Sequence, residues 1–260
     1  MVTGAGRGFG REIASRLANR GYAVLATDIS TADAEETARL IGGQAWSMGL
    51  DARDPAAHRA AAAAAAERGR LAVWVNNAGV ARAAKGFEGS EDDVRLMVET
   101  NLLGVMWGSR VAVEAIGQGG GHIINIGSMS SLGPVPGITT YAATKHGVLG
   151  YTTSLQGDLD HAKLPIRAHV VCPDAADTLM VRDVVGSPES AILFSGPRLL
   201  EASEVADRVV ALLDSKQVIL TIPRWRALMV RAFAPFPRLA LPVMNFFRAV
   251  GERRRRKRLA

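Results

Sequence analysis

Short apolar runs alternate with longer amphipathic or alanine-rich stretches along most of this chain. Residues 22–27 (YAVLAT), 44–50, 71–75, 123–126, 166–171 and 217–222 are the short runs. Each is bounded by polar, Gly or Pro residues, and the near-continuous apolar character predicts strands covered on both faces. Between them, helical periodicity is expected from the residues after Gly10 to Arg20, and over 32–41, 55–68, 91–116, 139–162 and 201–215. Stretch 55–68 is mostly alanine, the best helix former, so it reads as a scaffold helix rather than a disordered repeat. Residues 175–200 keep no firm period and are expected to form a mobile lobe. Strands alternating with helices predict an α/β fold: a doubly wound, Rossmann-type parallel sheet in three layers, with ligands at the C-terminal strand ends.

Composition narrows the class. The chain has 260 residues, 48% of them hydrophobic, which suits one sizeable core and one main domain. Cys172 is the single cysteine, so no internal disulfide can form and a reducing, cytoplasmic compartment is expected. The five histidines show no metal-ligand spacing, so no metal site is proposed. No signal peptide is expected, because Thr3 leads straight into a glycine loop. The formal charge of +6 is unevenly placed. Residues 224–260 hold ten Arg, one Lys and one Glu, a net +10, which leaves residues 1–223 at −4. The chain therefore divides into a body, 1–223, and a basic, apolar extension, 224–260.

The candidate chemistry lies at the ends of the expected strands. Gly4, Gly6, Gly8 and Gly10, with Arg7 and Phe9 among them, precede a helix. Glycines there permit a tight turn and close approach of backbone to a pyrophosphate, at a helix N-terminus that favours anions. Asp28 closes the next strand, eighteen residues after Gly10, where a carboxylate can bind adenosine ribose hydroxyls. Asn76-Asn77-Ala78-Gly79 ends another strand with small and amide residues suited to lie against a ligand. Tyr141 and Lys145 are four apart, on one helix face, and Ser128 stands thirteen residues earlier at a strand exit. A phenol has a pKa of about 10, and an ammonium one turn away is expected to lower it. With the Ser128 hydroxyl to hold a substrate oxygen, the three make a proton-transfer device for a carbonyl or carbinol.

Over about residues 2–222 the sequence resembles the single-domain branch of the short-chain dehydrogenase/reductase family. The resemblance rests on Thr3-Gly4-x-x-x-Gly8-x-Gly10, Asp51, Asn76-Asn77-Ala78-Gly79, Asn101, Ser128 and Tyr141-x-x-x-Lys145, in that order and spacing. It implies hydride transfer between a nicotinamide cofactor and a secondary alcohol or ketone. In that scheme Tyr141 is the acid/base. Lys145 tunes it and holds the nicotinamide ribose, Ser128 is the substrate-oxygen donor, and Asn101 is part of a water-linked proton relay. Asp51, beside Ala52, and Asn77, beside Ala78 and Gly79, border the adenosine, and Asn76 ties adjacent strands. Pro173 and Thr178 fall near the nicotinamide carboxamide. A homodimer or homotetramer is implied, with the helices around Asn101 and Tyr141 pairing.

Three departures from the family pattern bear on function. Only Met1 and Val2 precede Thr3, where the family has a longer first strand; an upstream start is expected. Asp174 follows Pro173 where the family has Gly, and its charge is expected to weaken cofactor binding. Cofactor signals are mixed: Asp28 repels a 2′-phosphate while Arg7 suits one. The carboxylate occupies the space the phosphate needs, so NAD is expected over NADP.

The apolar residues Leu179, Met180, Val184, Val185, Ile192, Leu193 and Phe194, with 132–138, are expected to line a pocket for a lipophilic alcohol or ketone. A second reading is an NAD-binding protein without turnover, docked on a membrane or partner. In the extension, large apolar side chains alternate with arginines, and Pro235, Pro237 and Pro242 interrupt them. Two short amphipathic helices, 224–234 and 243–256, are expected instead of one membrane-spanning helix. Peripheral attachment to an anionic surface on the inner membrane face is expected from them. The other reading is that the apolar residues cover the substrate lobe. No nucleic-acid partner is expected, since no recognised module accompanies the basic run.

Overall fold

The computed structural model describes residues 1–259; Ala260, the last residue of the expected extension, lies outside the described residues. Seven parallel strands form one sheet in the order β3-β2-β1-β4-β5-β6-β7. They are β1 (Val2–Thr3), β2 (Val24–Asp28), β3 (Ala45–Gly49), β4 (Val73–Asn76), β5 (Gly121–Ile126), β6 (Ile166–Pro173) and β7 (Ile219–Ile222). The strand order reverses between β1 and β4, so the crevice above their C-terminal ends is the natural ligand site.

Helices cover both faces. α1 (Gly8–Asn19) and α8 (Ala202–Val210) pack on one side, where Ile13, Leu17, Val205 and Val209 meet Val2, Ala26 and Val75. On the other side α3 (Pro55–Ala66), α5 (Gly104–Ile116) and α6 (Thr139–His161) meet Leu25, Trp74 and Ile123 through Ala61, Ala65, Ala112 and Leu159. Local chemistry sets several starts. Ser30 caps α2 (Thr31–Ile41), accepting from Asp33 N at 3.3 Å. Asp54 caps α3, with Pro55 at its first position. Ser90 caps α4 (Glu91–Val98).

The single helix expected over 91–116 differs from the structure. It is α4 and α5 joined by a π-helical turn, Glu99–Leu103, with buried Asn101 at its centre. A π turn is a rare insertion that commonly marks functional positions. The irregular 175–200 stretch is ordered into α7 (Leu179–Val184) and a 3₁₀ turn, Pro188–Phe194.

β1 is short yet central. Val2 pairs with Ala26 on one side and Val75 on the other. Met1 extends the pairing: Val75 N donates to its carbonyl at 3.0 Å, and its amine donates to Val73 O at 2.6 Å. Burial pushes that amine down to about 5.

The extension forms α9 (Arg224–Phe233) and α10 (Pro237–Leu259). Pro242 lies inside α10, only five residues after its start, so the break expected there is absent. Gly251 lets α10 close onto the Pro188–Phe194 turn, since a Cβ there would sit 1.9 Å from Ala191 O. No helix among the described residues is long and apolar enough to cross a membrane.

Candidate active site

A cavity of about 490 Å³ runs along the C-terminal strand ends, from the glycine loop to the C-terminal helices. Its first end is built by β1, α1 and β2. Gly4 and Gly8 take positive φ, 61° and 54°. A Cβ on Gly4 would lie 2.8 Å from Ala78 Cα, and one on Gly10 only 2.1 Å from Gly4 O. Gly10 therefore holds α1 against the loop and, unlike Gly4, Arg7, Gly8 and Phe9, does not face the cavity. Arg7 is the N-cap of α1 and supplies no side-chain cap, so the first N–H groups of the helix are left for an anion. Asp28 is fixed by Gly6 N, which donates to Oδ2 at 2.9 Å, and by Ser30 N, which donates to Oδ1 at 3.0 Å.

Asp51 and Ala52 also line this end. The Asp51 carboxylate is paired with Arg53 at 2.6 Å, and that hydrogen bond holds it below the usual carboxylate range. Asn77, Ala78 and Gly79 line the middle. The Asn77 amide donates to Thr3 O at 3.0 Å and Gly4 O at 2.9 Å, so it buttresses the glycine loop with its side chain. Asn76 lies beneath in a buried network. It accepts from Trp74 Nε1 at 2.7 Å and donates to Asn125 Oδ1 at 2.8 Å and Ser109 Oγ at 3.1 Å. It thus ties β4 to β5 and α5, the part implied for it.

The second end holds Ser128, Tyr141 and Lys145, all facing the cavity. Ser128 follows β5, with its N–H donating to Ser131 Oγ at 3.2 Å and its Oγ accepting from Ser130 N at 3.1 Å. Tyr141 and Lys145 stand one turn apart on α6, with Lys145 Nζ 5.6 Å from the Tyr141 ring centre. Lys145 is buried and donates to Ile126 O at 2.8 Å. Burial pushes the Tyr141 phenol up to about 12, with the Ser128 hydroxyl pulling the other way, and pushes the Lys145 ammonium down to about 8. The lowered phenol expected from the Lys145 charge is therefore absent in this state. Burial disfavours the charged form of each group by more than a contact of this length returns.

Asn101 does not face the cavity. Its Oδ1 accepts from Val80 N and its Nδ2 donates to Val80 O, both at 2.8 Å. The side chain is thus committed to holding the loop after β4. Gly79 brings the two together, since a Cβ there would lie 3.2 Å from Asn101 Oδ1 and 3.8 Å from Lys145 Nζ.

Pro173 and Thr178 line the cavity below β6, with Asp174 between them. Asp174 is not a free charge. Arg226, from α9, reaches it at 2.8 Å, and both side chains are largely buried. Burial still pushes the Asp174 carboxyl up, with Arg226 pulling the other way. Arg226 was missed in the sequence. The signal was the acid itself: a carboxylate in a glycine position beside a cofactor needs a cation, and the extension is where the cations are.

Leu179, Met180, Val184, Ile192 and Leu193 line the substrate end, with Pro134, Val135 and Ile138. Val185 and Phe194 do not; Phe194 packs with Val181 and Leu199 beneath the lobe. Met229 and Val230 of α9 and Met244 and Phe247 of α10 complete the wall. The extension covers the lobe, as one of its two sequence readings held.

A sequence model of the short chain dehydrogenase family matches residues 1–188. The chain is 32% identical over 225 residues to a 3-oxoacyl-(acyl-carrier-protein) reductase of Escherichia coli K12, covering 85% of this chain and 91% of that protein. It is 36% identical over 195 residues to an uncharacterized oxidoreductase of Thermotoga maritima, covering 72% and 76% of the two. Among solved structures, a short chain dehydrogenase/reductase from Burkholderia phymatum in complex with NAD superposes with a TM-score of 0.81. It is 26% identical, and the match covers 88% of this chain and 90% of that one.

Proposed function

Since the chain belongs to the short chain dehydrogenase family and is one of its oxidoreductases, we propose that it interconverts a lipophilic secondary alcohol and its ketone by hydride transfer with NAD, Tyr141 serving as acid/base. One observation carries this reading: a single cavity joins the Gly4–Asp28 end, shaped for a dinucleotide, to Ser128, Tyr141 and Lys145.

The residues present fit a nicotinamide nucleotide. The uncapped start of α1 and the glycines suit the pyrophosphate, Asp28 the adenosine ribose, and Lys145 the nicotinamide ribose. Asp28 beside Gly6 argues for NAD over NADP, and it outweighs the exposed Arg7 because it is held in place by two backbone N–H groups. When bound, the nicotinamide supplies or takes the hydride. Ser128 Oγ donates a hydrogen bond to the substrate oxygen and fixes it next to Tyr141. In reduction the Tyr141 hydroxyl gives its proton to that oxygen and becomes phenolate; in oxidation the phenolate takes the alcohol's proton. Lys145 keeps a positive charge beside the phenol, which lowers the cost of the phenolate. The apolar wall excludes water and positions the carbon skeleton.

A lipophilic substrate is supported by the wall of Leu, Met, Val, Ile and Phe side chains from three segments. A 3-oxoacyl thioester, the class named for the Escherichia coli relative, is one such compound. The pairing of Asp174 with Arg226 gives a partner to the charge that was expected to weaken cofactor binding, which supports the catalytic reading over a nucleotide-binding protein without turnover. A homodimer or homotetramer joined through α5 and α6 is also proposed; light scattering at micromolar protein reads it, and a monomeric mass counts against it.

The test is a panel of secondary alcohols, ketones and 3-oxoacyl thioesters followed by NADH absorbance, with Tyr141→Phe as control. Turnover that Tyr141→Phe abolishes supports the reading. Activity that survives the substitution, or no turnover across the panel, overturns it.

A further inference from the structure

We propose that the outer face of α9 and α10 is a docking surface for an anionic lipid bilayer, which sets the substrate cavity against the membrane. This extends the lipophilic-substrate reading by naming where such a substrate is met, but the binding itself does not depend on turnover.

The two helices divide their residues between faces. On the inner face Ala227 and Ala240 are buried, and Met244 and Phe247 line the cavity. Arg248 pairs with Glu189, Arg254 donates to the Ser195 and Gly196 carbonyls, and Arg255 donates to Val185 O at 2.8 Å. Those arginines are structural. The outer face is different. Trp225 is 55% exposed, Leu228 69%, Leu239 60% and Phe246 66%. Among the described residues, six of the twelve exposed large apolar side chains belong to these two helices, and Phe236 of the turn between them is a seventh. That concentration is far above chance scatter on a soluble surface.

Charge decides what covers the face. Leu239, Phe246 and Arg253 recur every seven residues, with Lys257 one turn further, so they form one stripe of α10 that is apolar first and basic after. Arg224 and Arg231 flank Trp225 and Leu228 in the same way on α9, and these four cations, Arg224, Arg231, Arg253 and Lys257, are exposed. The one acid of the extension, Glu252, is taken by Arg255 and Arg256. Large apolar and aromatic side chains beside unopposed cations suit the boundary of acyl chains and anionic headgroups. A second copy of the chain suits it less, because a two-fold contact sets like patches against each other and would bring the basic stripes together. The residues preceding and following the outer Leu228 and Phe246 include Met229 and Phe247 of the cavity wall, so a docked bilayer lies next to the pocket.

The test is co-sedimentation of the full chain with phosphatidylglycerol-containing and with pure phosphatidylcholine vesicles, at low and high salt, without substrate. Two variants are compared, Leu228→Glu/Phe246→Glu and Arg253→Glu/Lys257→Glu; none of these residues lines the cavity. The expected result is binding to the anionic vesicles that weakens at high salt, with each variant lowering the partition coefficient by roughly tenfold or more. Melting temperature and NADH turnover on a short, soluble ketone stay unchanged. Absence of binding to anionic vesicles, or binding by both variants equal to wild type, overturns the proposal. So does a drop in oligomeric mass on Leu228→Glu/Phe246→Glu without a change in vesicle binding, which assigns the face to a contact between copies. Vesicle binding without any turnover would spare this inference and fail the catalytic reading alone.

Discussion

Arg226 on α9 lies 2.8 Å from Asp174 at the end of β6, so the C-terminal extension supplies the partner of a charged residue inside the cavity. Arg226 also donates to Ser195 Oγ, which joins α9, the β6 loop and the lobe over the substrate end.

That pairing gives the Asp174 charge, expected from the sequence to weaken cofactor binding, a part in stability as well. Restoring the family's glycine removes a carboxylate but strands a buried guanidinium. Asp174→Gly and Arg226→Met are each expected to destabilise by about 3 kcal/mol, the usual result of breaking a buried pair. The double variant is expected to cost less than the sum, with a coupling of at least about 1 kcal/mol. Urea melts of the four proteins check it; strictly additive losses would show that the pair does not act as one.

The proton-transfer site should show itself in its pH dependence. The Tyr141 phenol is pushed up to about 12, so it is protonated through the neutral range. Reduction needs that proton, and its kcat/KM should be flat from about pH 6 to about pH 9, whereas oxidation needs the phenolate and should rise with pH. Lys145 titrates near about 8, so the rise should lessen above that point as its charge is lost. Profiles in both directions check this. A reduction rate that falls away near neutrality would place the phenol far lower than burial alone allows.

Asp28 should govern cofactor choice. Its two oxygens are held by Gly6 N and Ser30 N at the end of β2, where a carboxylate suits ribose hydroxyls and disfavours a 2′-phosphate. Asp28→Ala is expected to shift the NAD-to-NADP ratio of kcat/KM toward NADP by roughly tenfold or more, since two like charges no longer meet. Parallel kinetics with both cofactors read it. A wild type that already prefers NADP would show that Arg7 prevails over Asp28.

How far the sequence disclosed this site follows from the range of the signals. Strand runs, the glycine loop and the one-turn spacing of Tyr141 and Lys145 are local patterns, and each element formed where its pattern lay. Joint convergence of Asp28, Asn77 and Ser128 was legible because parallel strands put all their C-terminal ends on one edge. What the sequence hid depends on contacts between distant segments. Asn101 sits in a π turn and its amide brackets Val80, twenty-one residues earlier. Asn77 lines the cavity and also buttresses the glycine loop, because Thr3 and Gly4 lie in reach of its amide. The phenol's upward shift reflects burial, which spacing alone does not report. Arg226 is fifty-two positions from Asp174, and no periodicity links them.

A stability effect away from the site is expected from two facing histidines. His122 Nδ1 and His169 Nε2 are 3.0 Å apart on β5 and β6. Burial, then the neighbouring His169 and Arg167, push His122 down to about 4. Its folded value lies below its unfolded one, so its contribution to stability is present above about pH 6.5 and is lost as pH falls toward 4. A loss of about 1–2 kcal/mol is expected across that window, allowing for partial exposure to solvent. His122→Gln should flatten the curve of urea midpoint against pH. A curve of unchanged slope would move the acid sensitivity to another group.

The last expectation concerns the wall contributed by α10. Met244 and Phe247 face the cavity from a segment outside the shared motifs, and Leu179 and Ile192 line the same cavity. If they bound the space available to the substrate's apolar part, enlarging Met244 should shorten the chain that fits. Each buried methylene contributes about 0.8 kcal/mol, or about fourfold in kcat/KM. Met244→Trp is therefore expected to leave the shortest ketones of a homologous series unchanged and to lower kcat/KM by about fourfold for each further methylene beyond the new limit. Phe247→Ala should move the limit the other way, toward longer chains. The readout is the slope of log kcat/KM against chain length under NADH turnover, which separates a change in pocket depth from a uniform loss of activity. A parallel drop at every length would mean that the substitution disturbed α10 or the catalytic residues. An unchanged profile in both variants would mean that the substrate ends before it reaches the extension, and that the wall there belongs to the fold alone.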